Sequence, residues 1–293
     1  MAEKQPTSPL LQIAVAMLFI GTSGIFGRFV PLPAPLAVWW RAAIALVALL
    51  AYCRYKGIDL RLRGRRQTMV VVLSGLLMSC HWLTYFEALQ RSSVAIGMLA
   101  IFTYPAMTTL LEPLFFRKPF EGRHLLLAGM VVVGVYLLAP AFSLADGATV
   151  GLLFGMGSAL IYSLRNLLVK TQVTALHGSA VMTWQAGIAT VMVVPVLFLY
   201  PQWPTAAAWP YLLGLGILTT AVGHTLFLGC FRYFSVSTVS ILSCVQPIYG
   251  IVLAMVFFGE FPTWSAVAGG ALILAAVAVE AWYAMRRPAP AAA

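Results

Sequence analysis

Runs of about twenty mainly apolar residues alternate with short polar breaks along the whole chain. The pattern predicts ten helices, each long enough to cross the hydrocarbon core of a bilayer. The expected spans are 10–30, 36–54, 68–90, 93–116, 123–141, 149–171, 179–200, 209–231, 236–258 and 264–285. The breaks carry chemistry that stops helices. Pro31-Leu32-Pro33-Ala34-Pro35 cannot continue one, Arg61 to Arg66 is a run rich in charge, and Asp146-Gly147 and Pro201 to Pro204 are turn sequences. Several connections are only a few residues long, so helices adjacent in sequence are expected to be antiparallel neighbours.

Composition confirms what the pattern implies. Of 293 residues, 61% are hydrophobic and 9% charged, too little charge to cover the surface of a soluble domain. The apolar run continues through Ala14-Val15-Ala16 to about Val30, which favours a first membrane helix over a cleaved signal peptide. The four cysteines, Cys53, Cys80, Cys230 and Cys244, lack metal-site spacing and read as small buried hydrophobes. No metal and no cofactor is called for.

The net charge of +10 forms no continuous basic face, so nucleic acid is not an expected partner. Its distribution instead orients the chain. With the N-terminus inside, the cytoplasmic segments hold Lys4, Arg54, Lys56, Arg61, Arg63, Arg65, Arg66, Arg117, Lys118, Arg123, Lys170, Arg232, Arg286 and Arg287, fourteen of the eighteen basic residues. Only Arg28 and Arg91 fall outside, with Arg41 and Arg165 within helices. Short cytoplasmic loops carry the excess of Lys and Arg, so both termini are expected in the cytoplasm and the chain in the cytoplasmic (inner) membrane.

A weak internal repeat runs through the sequence. A shift of 142 residues carries Ser93-Val94 onto Ser235-Val236, Pro105 onto Pro247 and Phe115-Phe116 onto Phe257-Phe258. Gly21-Thr22-Ser23 matches Gly157-Ser158-Ala159 at a slightly different shift. Two five-helix units, 1–145 and 146–293, must insert in opposite directions because five is odd. Inverted-topology repeats of this kind characterise secondary transporters, which hold substrate near the membrane midplane. Pro105 and Pro247, at matched positions inside helices, are expected to kink them.

The second half, from Phe234-Ser235-Val236-Ser237 through Cys244-Val245-Gln246-Pro247 to Phe257-Phe258-Gly259-Glu260 and Gly269-Gly270, resembles the EamA-type repeat of the drug/metabolite transporter superfamily. Gly151 to Lys170 is similar to the opening helix of that repeat, and Arg41 resembles an arginine often seen in its second helix. Lys118 stands where the second half has Glu260, so no role for that carboxylate carries to the first half. The resemblance implies an all-α membrane fold of ten helices in two inverted repeats around a central cavity. It also implies export of amino acids or other metabolites, or movement of sugars and related compounds.

Polar and aromatic side chains within spans tend to face the bundle interior. His81, Trp82 and Tyr85 share one side of the third helix at spacings of three and four. Singly each reads as packing; together they favour a cavity wall. Tyr104 stands beside Pro105, Gln246 beside Pro247, Tyr162 on the sixth helix and Trp184 on the seventh, and these complete the candidate substrate-binding set. Ser158, Asn166, Gln185, Thr220 and His224 are further polar positions within spans. Arg165, toward the cytoplasmic end of its helix, reads equally as a binder of a substrate carboxylate or as a snorkelling side chain. Arg41 reads as structural, near the outer end of the second helix. Glu87 and Glu112 read as partners of neighbouring arginines before they read as proton carriers.

The expected function is a secondary transporter of small metabolites, exporting aromatic or hydrophobic amino acids and working as a monomer in the lipid bilayer. The alternatives are export of other metabolites or drugs, or an intramembrane enzyme acting on lipid. The enzyme reading lacks support, since His81, Glu87 and Glu112 sit at different depths and no catalytic residue is assigned. A channel would show a filter segment or rings of charge, and the sequence has neither.

Overall fold

The computed structural model describes residues 9–92, 97, 100–137, 147–173, 175–259, 261 and 264–286. Ser93, Val94, Asp146, Glu260, Lys4 and Arg287 lie outside them. Among the described residues the chain is helical with no strand. In chain order the segments are α1 (Pro9–Phe29), α2 (Ala34–Tyr55), α3 (Arg65–Arg91), α4 (Tyr104–Phe116), α5 (Gly122–Tyr136) and α6 (Gly147–Lys170). They continue with α7 (Gly178–Leu199), α8 (Ala206–Cys230), α9 (Val236–Phe258) and α10 (Trp264–Arg286). Seven of these, α1, α2, α3 and α6 to α9, contain stretches long and apolar enough to cross a membrane, and α5 and α10 carry the shorter apolar stretches Gly122–Gly134 and Val267–Glu280.

Proline and local hydrogen bonds set the ends. Pro35 occupies the first turn of α2, where its missing N–H costs nothing. The Gln90 side chain at the end of α3 accepts from Ala34 N at 3.0 Å and donates to Leu32 O at 3.0 Å, satisfying the proline-rich connection. The charge run splits: Arg61 and Arg63 lie in the connection, while Arg65 opens α3.

Three helices depart from the regular form the apolar pattern suggests. Helix α7 loosens at Val193–Pro195. Helix α8 is a π-helix over Gly214–His224. In α9 a 3-10 turn at Ser243–Val245 precedes Gln246-Pro247. Phe102 and Thr103 form a turn just before Tyr104-Pro105. Each of the two singled-out prolines thus sits in the first turn of a resumed helix, which suits its fixed φ, and the break precedes it.

The packing is inverted relative to a soluble protein. Leu18, Val47, Leu114, Leu126, Val191, Phe198 and Val256 lie exposed on the outside, where lipid would cover them. Ser23, Arg41, Ser74, His81, Ser158, Arg165 and Asn166 are buried within. Helix α3 packs along α6 and α7, α1 against α8 and α9, α2 against α7 and α8, α4 against α6, and α5 against α10.

Glycines allow the closest approaches. A Cβ on Gly155 of α6 would stand 2.4 Å from Ala100 Cβ, and one on Gly151 would stand 2.7 Å from Ser92 Cβ. Gly157, 200° further round the helix from Gly155, meets nothing within 4 Å. On α8, Gly216 lies against Ile44 of α2 and Gly223 against Ile20 of α1. These contacts draw α1, α2 and α8 together at the depth of the buried polar residues.

Candidate substrate cavity

Helices α1, α2, α3, α4, α6, α8 and α9 enclose a central cavity of about 30 Å³, space for no more than one or two waters. Its wall includes His81, Trp82, Tyr85, Tyr104, Tyr162 and Gln246, six of the seven side chains singled out from the sequence. Arg41, Ser23, His224, Phe102, Ile20 and Ile101 complete it.

The aromatic wall is ordered by stacking and by hydrogen bonds from small polar residues. The His81 ring stacks on Tyr162 at 4.4 Å between centroids, and Tyr104 meets Tyr162 edge-on at 5.1 Å. Ser158 Oγ lies 2.8 Å from His81 Nδ1 and donates to the His81 carbonyl at 2.8 Å. A hydroxyl has one proton, so donation to the carbonyl makes Ser158 accept from Nδ1–H. The Tyr104 hydroxyl bonds to Ser243 Oγ and donates to Ser240 O at 3.3 Å, tying α4 to the broken turn of α9. Ser163 Oγ donates to Tyr104 O at 3.0 Å and so holds the start of α4 against α6.

Trp184 does not join the others. Its indole N–H donates to Leu60 O at 2.9 Å in the α2–α3 connection, and 37% of the residue is exposed. The next residue, Gln185, points inward and is fully buried. One step along a helix turns a side chain by 100°, so the two neighbours serve different surfaces.

Arg41 does not lie at the periphery. It lies seven residues into α2, about 10 Å below the start of the helix, and is 1% exposed. Its Nε donates to Thr220 Oγ1 at 2.7 Å, Nη1 to Ser23 Oγ at 3.3 Å, and Nη2 lies 3.4 Å from His224 Nε2. The guanidinium carbon sits 4.6 Å from the Trp82 ring and 5.5 Å from the Phe86 ring. The π-helix of α8 supplies two of these partners: Thr220 Oγ1 also donates to Leu215 O, five residues back, and His224 stands four residues on. Such π segments recur at functional sites.

Arg165 does not snorkel. It is fully buried, with Nη1 donating to Asn166 Oδ1 at 2.9 Å, Nη2 to Gln185 Oε1, and its guanidinium 5.7 Å from the Tyr162 ring. Gln185 in turn donates to Ser74 Oγ at 2.9 Å.

The carboxylates lie elsewhere. Glu87 pairs with Arg91 at 2.6 Å on the surface of α3. Glu112 accepts from Val236 N at 3.0 Å and Ser237 N at 2.7 Å, and so caps the N-terminus of α9. Glu280, which drew no notice in the sequence, accepts from Thr238 Oγ1 at 2.8 Å and lies 3.2 Å from His124 Nε2. Among the described residues no group of three His, Cys, Asp or Glu side chains is placed to hold a metal ion.

Several buried polar atoms have no protein partner: Trp82 Nε1, Tyr85 Oη and His224 Nδ1 in the cavity wall, with Arg165 Nε and Asn166 Nδ2 nearby. An unpaired buried polar group costs about 1–3 kcal/mol, so three in one wall concentrate that cost around the void. A larger cavity of about 580 Å³ opens between α1, α2, α7 and α8. Thr220 and His224 contact Arg41 at the small cavity, while Ala221 and Thr225 of the same turns line the large one.

An apolar exterior around buried aromatic and polar residues, on helices long and apolar enough to cross a bilayer, defines a multi-pass membrane protein. The EamA-like transporter family model matches residues 7–139 and again residues 149–280, and the chain belongs to that family. It is 26% identical over 273 residues to an uncharacterized transporter of Archaeoglobus fulgidus, covering 92% of this chain and 94% of that protein. It is 21% identical over 248 residues to the pseudopaline exporter CntI of Pseudomonas aeruginosa, covering 84% and 85%. It is 26% identical over 253 residues to protein RarD of Salmonella typhimurium, covering 83% of each. A solved crystal structure shares the fold at a TM-score of 0.77 and 21% identity, covering 95% of this chain and 98% of its own.

Proposed function

We propose that the protein exports amino acids, aromatic or hydrophobic ones in particular, across the cytoplasmic membrane, with both termini in the cytoplasm. The observation that carries this reading is the cavity wall: Trp82, Tyr85, Tyr104, Tyr162 and His81 around one void, with Trp82 Nε1 and Tyr85 Oη unpartnered. Aromatic faces stack on an apolar side chain, and the unpaired polar atoms meet its polar end. Export is supported by the relative that is a pseudopaline exporter, and the cytoplasmic placing of the termini by the basic residues that favour an inside N-terminus.

The mechanism follows from the size of the void. About 30 Å³ is far below the 300–1,000 Å³ of a ligand pocket, so helices around the void move apart for substrate to enter, and α4 and α9 are the candidates. Their irregular turns, Phe102-Thr103 and Ser243–Val245, stand at corresponding places before Pro105 and Pro247. These turns are the natural hinges of two inverted repeats, 1–145 and 146–293, rocking about the cavity. The separate family matches to residues 7–139 and 149–280 support that division.

The test is counterflow in liposomes preloaded with unlabelled amino acids and challenged with each labelled one outside. Saturable, protein-dependent uptake of aromatic amino acids is expected. No counterflow with any amino acid, in vesicles holding folded protein, overturns the substrate assignment and brings other metabolites and drugs forward.

A further inference from the structure

We infer that Arg41 is the receptor for a carboxylate on the substrate, and that the cavity selects aromatic carboxylates whether or not they carry an α-amino group. The inference rests on the proposed export function and narrows its substrate class.

The argument begins with charge. Among the described residues, no carboxylate lies within ion-pair distance of Arg41 or Arg165. Glu112 is committed to the N-terminus of α9, and Glu280 to Thr238, Arg123 and His124. A buried cation at membrane depth ordinarily has a counter-ion, because desolvation without one is costly. Arg41 has only neutral partners, Thr220, Ser23 and His224, and two of its three contacts are long at 3.3 and 3.4 Å. A guanidinium carries five N–H donors; three contacts leave two of them without an acceptor.

Geometry adds the second argument. Arg41 lines the same void as Trp82, Tyr85 and Gln246. The Trp82 and Phe86 rings flank its guanidinium at 4.6 and 5.5 Å and limit its freedom to turn. Thr220 anchors Nε, while Nη1 and Nη2 each make one long contact, to Ser23 and His224, and keep one N–H apiece to present as a fork. That fork matches the two oxygens of a carboxylate. The unpartnered Trp82 Nε1 is a second donor on the same wall. An ionised carboxylate only accepts, so donors of this kind suit it; an ammonium only donates, and meets a positive wall. Among the described residues no carboxylate side chain lines the void, so none there demands an α-ammonium group on the substrate.

Two experiments test this, one varying the ligand and one the protein. In the first, purified protein is titrated with 3-phenylpropionate, which lacks the amine, and with phenethylamine, which lacks the carboxylate. Binding is read by thermal stabilisation and by competition against labelled L-phenylalanine counterflow. The carboxylate is expected to bind within about tenfold of L-phenylalanine, and the amine roughly 100-fold more weakly or not at all. In the second, Arg41→Lys and Arg41→Gln are expected to weaken 3-phenylpropionate binding roughly 100-fold. Arg41→Lys fails as well because an ammonium cannot form the fork.

Phenethylamine binding as tightly as 3-phenylpropionate overturns the inference, as does undiminished 3-phenylpropionate binding to folded Arg41→Gln. If neither Arg41 variant folds, the ligand comparison on the unaltered protein decides alone. Absence of amino-acid counterflow together with Arg41-dependent 3-phenylpropionate binding supports the carboxylate receptor and overturns amino-acid export.

Discussion

Substituting Gly216 with alanine tests whether the close approach of α8 to α2 holds Arg41 in place. A Cβ at Gly216 would stand 2.5 Å from Ile44 Cγ2 and 2.6 Å from Ile44 Cβ, with Ala45 N at 3.3 Å. Ile44 cannot swing aside, because Cβ is fixed to the backbone. Carbon atoms pack best at about 3.5–4.0 Å, so α2 and α8 must separate by about 1 Å. Arg41 lies one turn from Ile44, and Thr220 one turn from Gly216. The same displacement stretches the Arg41 Nε–Thr220 Oγ1 bond from 2.7 Å to about 3.7 Å, beyond hydrogen-bond range. Overpacking of this kind costs about 1–3 kcal/mol, partly offset by the 0.5–1 kcal/mol that alanine gains over glycine within a helix. Thermal unfolding in detergent and counterflow in liposomes read the two consequences. Gly216→Ala should lower the melting temperature by a few degrees and reduce substrate affinity. Adding Ile44→Gly removes both contacting carbons and should restore affinity. If Gly216→Ala leaves melting temperature and affinity unchanged, the packing argument for Arg41 is wrong.

Other substitutions probe separate parts of the account. Glu112→Ala removes the cap of α9 at Val236 and Ser237; at about 1.5–3 kcal/mol for each bond to a charged group, unfolding should come on the order of 10 °C earlier. Gly155→Ala should destabilise, because its Cβ would meet Ala100 at 2.4 Å, whereas Gly157→Ala, in open space, should stabilise by about 0.5–1 kcal/mol; equal melting temperatures for the two would contradict the close packing of α6 on the segment that leads into α4. His177 caps α7, its Nδ1 accepting from Ser179 N at 3.2 Å. Desolvation of the ring and nearby Arg232 hold its pKa below 6.5. The folded pKa is depressed, so this contribution to stability is complete above the unfolded value near 6.5 and is lost as pH falls through the folded one. His177→Asn keeps a cap and should flatten the loss of melting temperature between pH 7 and pH 5; an unchanged pH profile would remove His177 from the account.

Much of the cavity was legible because polar side chains within an apolar run have few places to go. His81, Trp82 and Tyr85 reach one wall as their helical spacing requires. The same reasoning misplaced Trp184, because a residue's place on its own helix does not reveal which helices surround it. Arg41 was undervalued for a related reason. Distance from the helix start suggested a rim position, but its depth becomes evident only when Thr220, Ser23 and His224 close round it. Those contacts need the π-helix of α8, and hydrophobic periodicity does not distinguish a π-helix from an α-helix. Glu280 escaped notice because it sits in the last part of a terminal helix; its partners Thr238 and His124 are distant in sequence. The broken turns before Pro105 and Pro247 were foreshadowed, since prolines within spans must disturb their helices, yet the break falls ahead of each proline rather than at it.

The central claim is that transport passes through the cavity lined by Trp82, and the chain offers an internal control. Trp82 and Trp184 are both tryptophans within membrane-spanning helices, yet only Trp82 lines the void, while Trp184 contacts Leu60 at the edge. Counterflow of labelled L-phenylalanine should be compared for Trp82→Ala and Trp184→Ala at matched amounts of folded protein. The account predicts loss of saturable uptake in the first and near-normal uptake in the second. Uptake that survives Trp82→Ala, or fails equally in both, would contradict it.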